Sequence, residues 1–382
     1  SSPFISDFFN EPRLINLIRV STLVIIINSW VIVQRTLLIK ALNFKLQSII
    51  SFIASFFAGV IATVMVYNDF GVWSLVFLTL SKQIINCVLL WFTSKWKPIM
   101  IFSKSSFKEL FDYGYKILLA NLINTIYQNI YYIIIGKVFS SSALGYYTRA
   151  DGFQKPFSSN IALGINRISF PILSGLQYND IQLKLKFKKF IRISILLSSI
   201  VLFCIAGIAK PMVLILVGEK WYTSIFYLQL LCIPGVLYPL QILNLTLLNV
   251  KGFSNLTLKI EITKKIILIP VIFIVTFFGI DALLYSLVVF SIVEFFINCR
   301  YTFKLINYSL KEQLMDILPF IFIGIGSFFL LSIIILFDFN LFVTLCVQLG
   351  VLFIYYLFFI FISSISEFKE VKSFFLSIIR KN

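Results

Sequence analysis

Histidine is missing from the chain altogether, and with it go the usual general base near neutral pH and the commonest metal ligand. Cysteine is scarce. Cys87, Cys204, Cys232, Cys299 and Cys346 lie in or beside apolar runs, and no CxxC pair occurs, so neither a disulfide framework nor a zinc site is supported. Charge is low, 13% of residues against about 25% in soluble chains. Acidic residues are the rarer sign, 16 Asp and Glu against 33 Lys and Arg. There is no Walker loop, nucleophile elbow, paired-carboxylate motif or metal cluster. The sequence therefore predicts no catalytic residue, no metal and no cofactor. Loops between apolar runs are short, which disfavours membrane glycosyl transfer with its large loops or acidic motif and favours transport.

What the chain has in excess is apolar surface. It is 59% hydrophobic with 43 Phe among 382 residues, where soluble domains run about 45–50% apolar. A membrane span needs about 20 mostly apolar residues. That rule places spans near 14–34, 46–67, 72–92, 113–138, 144–172, 191–209, 223–249, 256–278, 280–299, 314–337 and 340–363. The expected fold is an all-α polytopic transmembrane helical bundle of about eleven spans. Tight turns at Phe278-Gly279-Ile280-Asp281 and Phe337-Asp338-Phe339-Asn340 separate spans where the apolar run hardly pauses.

The net charge of +17 is arranged in short clusters between spans. That is the topogenic pattern, not a groove for nucleic acid. Arg35, Lys40 and Lys45 begin a series that runs through Lys95–Lys108, Lys184–Arg192, Lys251–Lys265 and Arg300–Lys311 to Lys369, Lys372, Arg380 and Lys381 in the tail. Alternate loops place 23 basic residues on one side and 4 on the other. The split predicts a cytoplasmic C-terminus and residues 1–13 outside. An odd number of spans with an outside start, in a chain beginning Ser1-Ser2-Pro3, predicts an N-terminally truncated protein with an odd number of spans missing upstream.

Two spans are unusually polar. On a helix turning 100° per residue, Arg149, Asn160 and Arg167 fall within about 20° of one another. At 1.5 Å per residue they extend over roughly 27 Å, most of the hydrocarbon thickness. A stripe so costly in lipid is expected to face a water-filled cavity or partner helices. The competing reading has both arginines snorkelling to opposite headgroup layers. Pro156 shares this face and Lys155 points elsewhere. In the preceding span, Asn121, Asn124 and Gln128 recur with Tyr132 near the same line; they line the cavity or serve as interhelical hydrogen-bond glue. Lys82 is a mid-span cation that could also line the cavity. Glu294 lies where Arg300 can neutralise it. The segment Lys210–Trp221 reads as amphipathic, with Trp221 an interfacial anchor.

Several stretches carry a resemblance: Leu110-Phe-Asp-Tyr-Gly-Tyr-Lys-Ile-Leu-Leu-Ala-Asn-Leu122, Ile135-Gly-Lys-Val-Phe-Ser-Ser-Ser-Ala-Leu-Gly-Tyr-Tyr-Thr-Arg-Ala150, Arg167-Ile-Ser-Phe-Pro-Ile-Leu-Ser-Gly-Leu-Gln177 and Leu216-Val-Gly-Glu-Lys-Trp221. Gln34-Arg35 followed by Asn43-Phe44-Lys45 fits the first cytoplasmic loop. In order and spacing the chain resembles the Wzx-type flippases, the polysaccharide transporter branch of the multidrug and polysaccharide (MATE-like) exporter superfamily. The resemblance implies fourteen spans, of which this chain holds the last eleven. It divides the chain into the rest of a first lobe (1–108), a second six-helix lobe (109–310) and a final helix pair with a cytoplasmic tail (311–382). Arg149 stands where the family pattern tends to have arginine.

The implied function is flipping of an undecaprenyl-diphosphate-linked oligosaccharide across a bacterial cytoplasmic (inner) membrane, for surface polysaccharide such as O-antigen. Membrane lipids would surround the chain, and polysaccharide polymerase or export machinery would be its protein partners. The cation-bearing cavity of Arg149, Arg167 and Lys82 would meet the diphosphate, and Asn121, Asn124, Gln128 and Asn160 the sugar. The alternatives are a multidrug extruder, which calls for acidic cavity residues, a membrane-embedded glycosyltransferase or polymerase, which calls for a catalytic carboxylate, and a scaffold without transport.

Overall fold

The computed structural model describes residues 2–362 apart from 42, 95, 97, 99–101 and 338. Its regular structure is helical: α1 (Ser2–Phe9), α2 (Leu14–Ser21), α3 (Leu23–Lys40), α4 (Phe44–Tyr67), α5 (Trp73–Thr93), α6 (Lys104–Gln128), α7 (Ile130–Val138), α8 (Ser141–Ser174), α9 (Asp180–Gly207), α10 (Ala209–Val217), α11 (Thr223–Val250), α12 (Ser254–Val275), α13 (Ile280–Ile306), α14 (Leu310–Ile334) and α15 (Leu341–Ile362). A long helix or a consecutive helix pair stands at each stretch where the sequence predicts a span. Among the described residues, eight helical segments are long and apolar enough to cross a membrane. The three stretches outside that set are α6–α7, α8 and α12. Each carries too many charged or amide side chains to cross by apolarity alone, so neighbouring protein must cover part of it. The predicted span 113–138 is also broken, with Asn129 between α6 and α7 turning its amide back to the Thr125 carbonyl at 2.8 Å.

The chain forms two compact units, residues 1–124 and 125–382. In the first, α5 packs against both α3 and α4. Their small core is Val31, Ile50, Cys87 and Leu90. The α4–α5 turn uses Asp69 and Gly71 at positive φ (61° and 52°), the left-handed conformation that a five-residue reversal needs. The Trp91 indole donates to the Trp30 carbonyl at 3.1 Å, tying α5 to α3. Faces uncovered by protein are apolar, with Ile25, Phe52 and Phe92 among the residues there, as lipid contact demands.

The second unit is built around α11, which packs on α8, α9 and α13. Helix α14 lies along α9, and α15 closes over α10 and α14. A 3₁₀ turn at Thr276–Phe278 runs into Gly279 at φ 97°, and α13 starts at the next residue, so the abrupt turn read from the sequence is real. Small residues permit the closest helix contacts: Gly207 of α9 faces Leu331 of α14, and Gly324 of α14 faces Phe203 of α9.

The basic cluster Lys184–Arg192, read from the sequence as loop, instead lies within the first four turns of α9. It stays helical because acids on α14 receive its charge. Arg192 donates to Asp316 at 2.9 and 2.5 Å, Lys188 pairs with Asp316 at 3.3 Å, and Lys184 pairs with Glu312 at 2.9 Å. The Tyr308 hydroxyl donates to the second Asp316 oxygen at 2.7 Å. Burial, reinforced by that bond to a carboxylate, pushes the Tyr308 phenol far above its ordinary range. Glu294 likewise finds a different partner from the one expected. Buried Lys264 of α12 pairs with Glu294 at 3.6 Å and with its own-helix neighbour Glu261, while Arg300 is exposed.

Candidate functional site

Helix α8 begins at Ser140, whose hydroxyl accepts from the Ala143 amide at 3.1 Å, an N-cap that satisfies one of the free first-turn donors. It then runs as an unbroken helix through Pro156 and Pro171. One face is buried, with Tyr147, Asp151, Gln154, Ser158 and Ile165 on it. The Gln154 amide fills the notch left by Gly235 on α11. Near the other end, the Thr246 hydroxyl of α11 donates to the Asn166 amide oxygen at 2.6 Å. Asp151 accepts a hydrogen bond from the Tyr132 hydroxyl of α7 and pairs with Lys155 at 3.6 Å. The Lys155 ammonium also sits 5.6 Å from the Tyr132 ring centroid.

Arg149, Asn160 and Arg167 lie on the opposite face and are uncovered by protein, as are Gly152 and Pro156 between them. The helical spacing read from the sequence therefore does put these three on one open stripe. Among the described residues, a cavity stands beside Arg149. Thr148, Arg149, Gly152, Phe153 and Trp221 line a space of about 330 Å³. A second space of about 350 Å³ adjoins it across Trp221, lined by Ser141, Ser142, Gly145, Tyr146, Lys220 and Trp221. The Arg149 guanidinium stands 4.8 Å from the Trp221 ring centroid, and Tyr146 meets the same indole edge-on at 6.0 Å between centroids. Trp221 is therefore held against the N-terminal half of α8.

The indole contributes about 0.5–1 kcal/mol of cation–π attraction at a site this open. More usefully, it holds the guanidinium beside the ring while leaving the N–H fork free, since no salt bridge or hydrogen bond from Arg149 is formed among the described residues. A planar fork with unspent donors suits a bidentate oxyanion such as a phosphate. Tyr146, Phe153 and Trp221 offer flat apolar surfaces with polar neighbours, the combination found in small-molecule clefts.

The remaining residues expected from the sequence divide. Gln128 is exposed at the end of α6, and Lys82 is exposed on α5 in the first unit. The side chains of Asn121 and Asn124 lie outside the described residues. Tyr132, read as close to that line with cavity lining and interhelical glue both open, donates to Asp151 of α8, the second of those roles. Sequence reasoning missed Asp151 and Gln154. The one available signal was the four-residue spacing of Asp151 and Lys155, a helical ion pair.

The polysaccharide biosynthesis protein pattern matches residues 1–226. Teichuronic acid biosynthesis protein TuaB of Bacillus subtilis (strain 168) is 25% identical over 258 residues, 67% of this chain and 53% of TuaB. Lipopolysaccharide biosynthesis protein WzxC of Escherichia coli (strain K12) is 24% identical over 277 residues, 71% of this chain and 56% of WzxC. The chain thus spans about half the length of these curated relatives. Among solved structures, lipid II flippase MurJ in its inward closed conformation aligns with a TM-score of 0.60 at 11% identity, over 81% of this chain and 66% of that one. The likeness to MurJ is one of fold. With the family pattern covering more than half of its residues, the chain is a multi-pass membrane protein of the polysaccharide biosynthesis protein family.

Proposed function

We propose that the chain moves a lipid-linked oligosaccharide, of the undecaprenyl-diphosphate class, from the inner to the outer leaflet of a bacterial cytoplasmic membrane, with its C-terminus in the cytoplasm. The observation that carries this reading is Arg149, held by Trp221 at the wall of a cavity with its donors unspent. A diphosphate must leave water to cross the membrane, and a guanidinium fork can replace part of its hydration. Asn160 and Arg167 continue the polar track along the same face of α8. Asn121, Asn124, Gln128 and Lys82 are proposed from the sequence as further polar contacts for the cargo, and the division into 1–108, 109–310 and 311–382 belongs to the same reading. Transport proceeds by alternating access, lobes rocking about the polar centre. The relatives' roles in making teichuronic acid and lipopolysaccharide agree with a saccharide cargo, and a polymerase or export assembly would receive it.

The test is the double substitution Arg149→Ala/Arg167→Ala in cells that depend on this gene for surface polysaccharide. Export should be abolished while the protein still inserts at normal abundance. Full export would remove the α8 stripe from the mechanism. Arg149→Lys should retain only part of the export, because an ammonium keeps the charge but loses the planar fork.

A further inference from the structure

Unit 1 holds a second polar site, at the end of α3–α5 that carries Arg35, Lys40 and Lys45. Gln34 is 1% exposed, and neither its amide nitrogen nor its amide oxygen has a hydrogen-bond partner. Buried amides are normally satisfied, so an orphan pair beside a cavity marks a place where a ligand's polar atoms can sit. Gln34 lines a space of about 240 Å³ with Leu37, Leu38, Leu90, Thr93 and Trp96. On the other side of Leu90 lies a smaller space of about 90 Å³, lined by Arg35, Gln47, Ser51, Asn86 and two aliphatic side chains.

The two spaces differ in chemistry in a useful way. The smaller has one cation, three neutral hydrogen-bonding side chains and no carboxylate. Asn86 is 7% exposed, and no partner for its amide or for the Arg35 guanidinium is formed among the described residues. Its volume is that of about three water molecules, enough for one tetrahedral oxyanion. The larger is mostly apolar and bordered by Trp96, whose ring lies 6.5 Å from that of Trp91. Tryptophans gather at the headgroup level of a bilayer. A phosphate beside Arg35 with apolar chain nearby is the shape of an anionic phospholipid at the membrane surface.

We propose that Arg35, Gln47, Ser51 and Asn86 bind the phosphate of an anionic phospholipid, with the neighbouring Gln34 amide reaching its glycerol or ester oxygens. The site is distinct from the Arg149 cavity and does not rest on the transport reading. It lies wholly within unit 1.

The purified full chain in detergent is titrated with dioleoylphosphatidylglycerol and followed by native mass spectrometry. Binding should saturate, and dioleoylglycerol, which lacks the phosphate, should not substitute for it. Arg35→Gln should weaken phosphatidylglycerol binding about tenfold, the value of one charge-assisted hydrogen bond. Lys259→Gln, an exposed cation elsewhere, should leave it unchanged. Gln34→Leu guards against a folding artefact: it should melt no lower than wild type without lipid yet show a smaller rise in melting temperature with phosphatidylglycerol. If inorganic phosphate displaces the lipid, the site also takes soluble phosphate; if it does not, the headgroup of a lipid is required. Equal binding by wild type and Arg35→Gln, or equal binding of dioleoylglycerol, would overturn the proposal.

Discussion

Gly207 lies at the last turn of α9, where α14 and α15 meet it. A Cβ there would stand 2.5 Å from Leu331 Cδ1, 2.9 Å from its Cβ and 3.3 Å from its Cγ. Ordinary contacts lie near 3.5–4.0 Å, so Gly207→Ala overlaps by about 1 Å. The Leu331 Cβ is fixed to the α14 backbone and cannot swing aside, and Leu331 is completely buried. Gln348 of α15 locks the same junction, its amide donating to the Leu331 carbonyl at 2.9 Å and to the Gly207 carbonyl at 3.4 Å. Overpacking costs about 1–3 kcal/mol, while replacing a helical glycine by alanine gains up to about 1 kcal/mol. The overlap wins, leaving a net loss of about 1–2 kcal/mol and a melting point lower by roughly 2–8 °C. Gly164→Ala on α8 is the control, because nothing lies within 4 Å of its Cβ. It should melt at or above the wild-type temperature. Thermal unfolding in detergent reads both, and Leu331→Ala should cost less in the Gly207→Ala background than alone by about 1 kcal/mol or more. Strict additivity of the two substitutions would refute the packing argument.

Asp316→Ala removes the acceptor that Arg192, Lys188 and Tyr308 share; a loss of about 2 kcal/mol is expected, below the fully buried case because Arg192 is 34% exposed. A melting point unchanged from wild type would show the clamp contributes nothing. Tyr308 keeps its proton in the fold beyond the ordinary phenol range. Above about pH 10 the unfolded state binds fewer protons than the native state, so stability should fall with rising pH. Tyr308→Phe should flatten that alkaline limb in a pH series of thermal melts; an identical slope would contradict the assignment. Lys264→Met leaves Glu261 and Glu294 without the ammonium between them, a loss of about 3 kcal/mol or more. The variant should elute as aggregate in size-exclusion chromatography, and Lys264→Met/Glu294→Gln should recover part of the monodisperse peak. Gly152→Leu, whose Cβ would meet nothing within 4 Å, should fill the cavity beside Arg149, reducing export while the melting temperature holds; normal export would count against that cavity.

Much of the fold was legible because hydropathy and charge alternation are both one-dimensional signals. Spans appear as apolar runs, and turns such as the one at Gly279 appear where a run is interrupted by a residue free to take positive φ. The open stripe of α8 was legible for the same reason: Arg149, Asn160 and Arg167 need only helical periodicity to share a face. What could not be read was pairing between distant helices. Lys184–Arg192 looked like loop because α14, which supplies Asp316 and Glu312, lies about 120 residues away in sequence. Glu294 looked nearest to Arg300, yet Lys264 on a neighbouring helix reaches it. The contact of Trp221 with Arg149 could not be read either, because it depends on α8 passing beside the 3₁₀ turn at Glu219–Trp221. The glycine notches at Gly207, Gly235 and Gly324 are invisible without the side chains that fill them.

The most direct test of the central claim is the leaflet of the lipid-linked saccharide after deletion of the gene, assigned with a membrane-impermeant sugar-modifying reagent. A transporter that carries the finished unit across predicts accumulation of complete, inward-facing saccharide that the reagent cannot reach. A pool of incomplete or unpolymerised units facing outward would contradict it and point to an enzyme of chain growth instead.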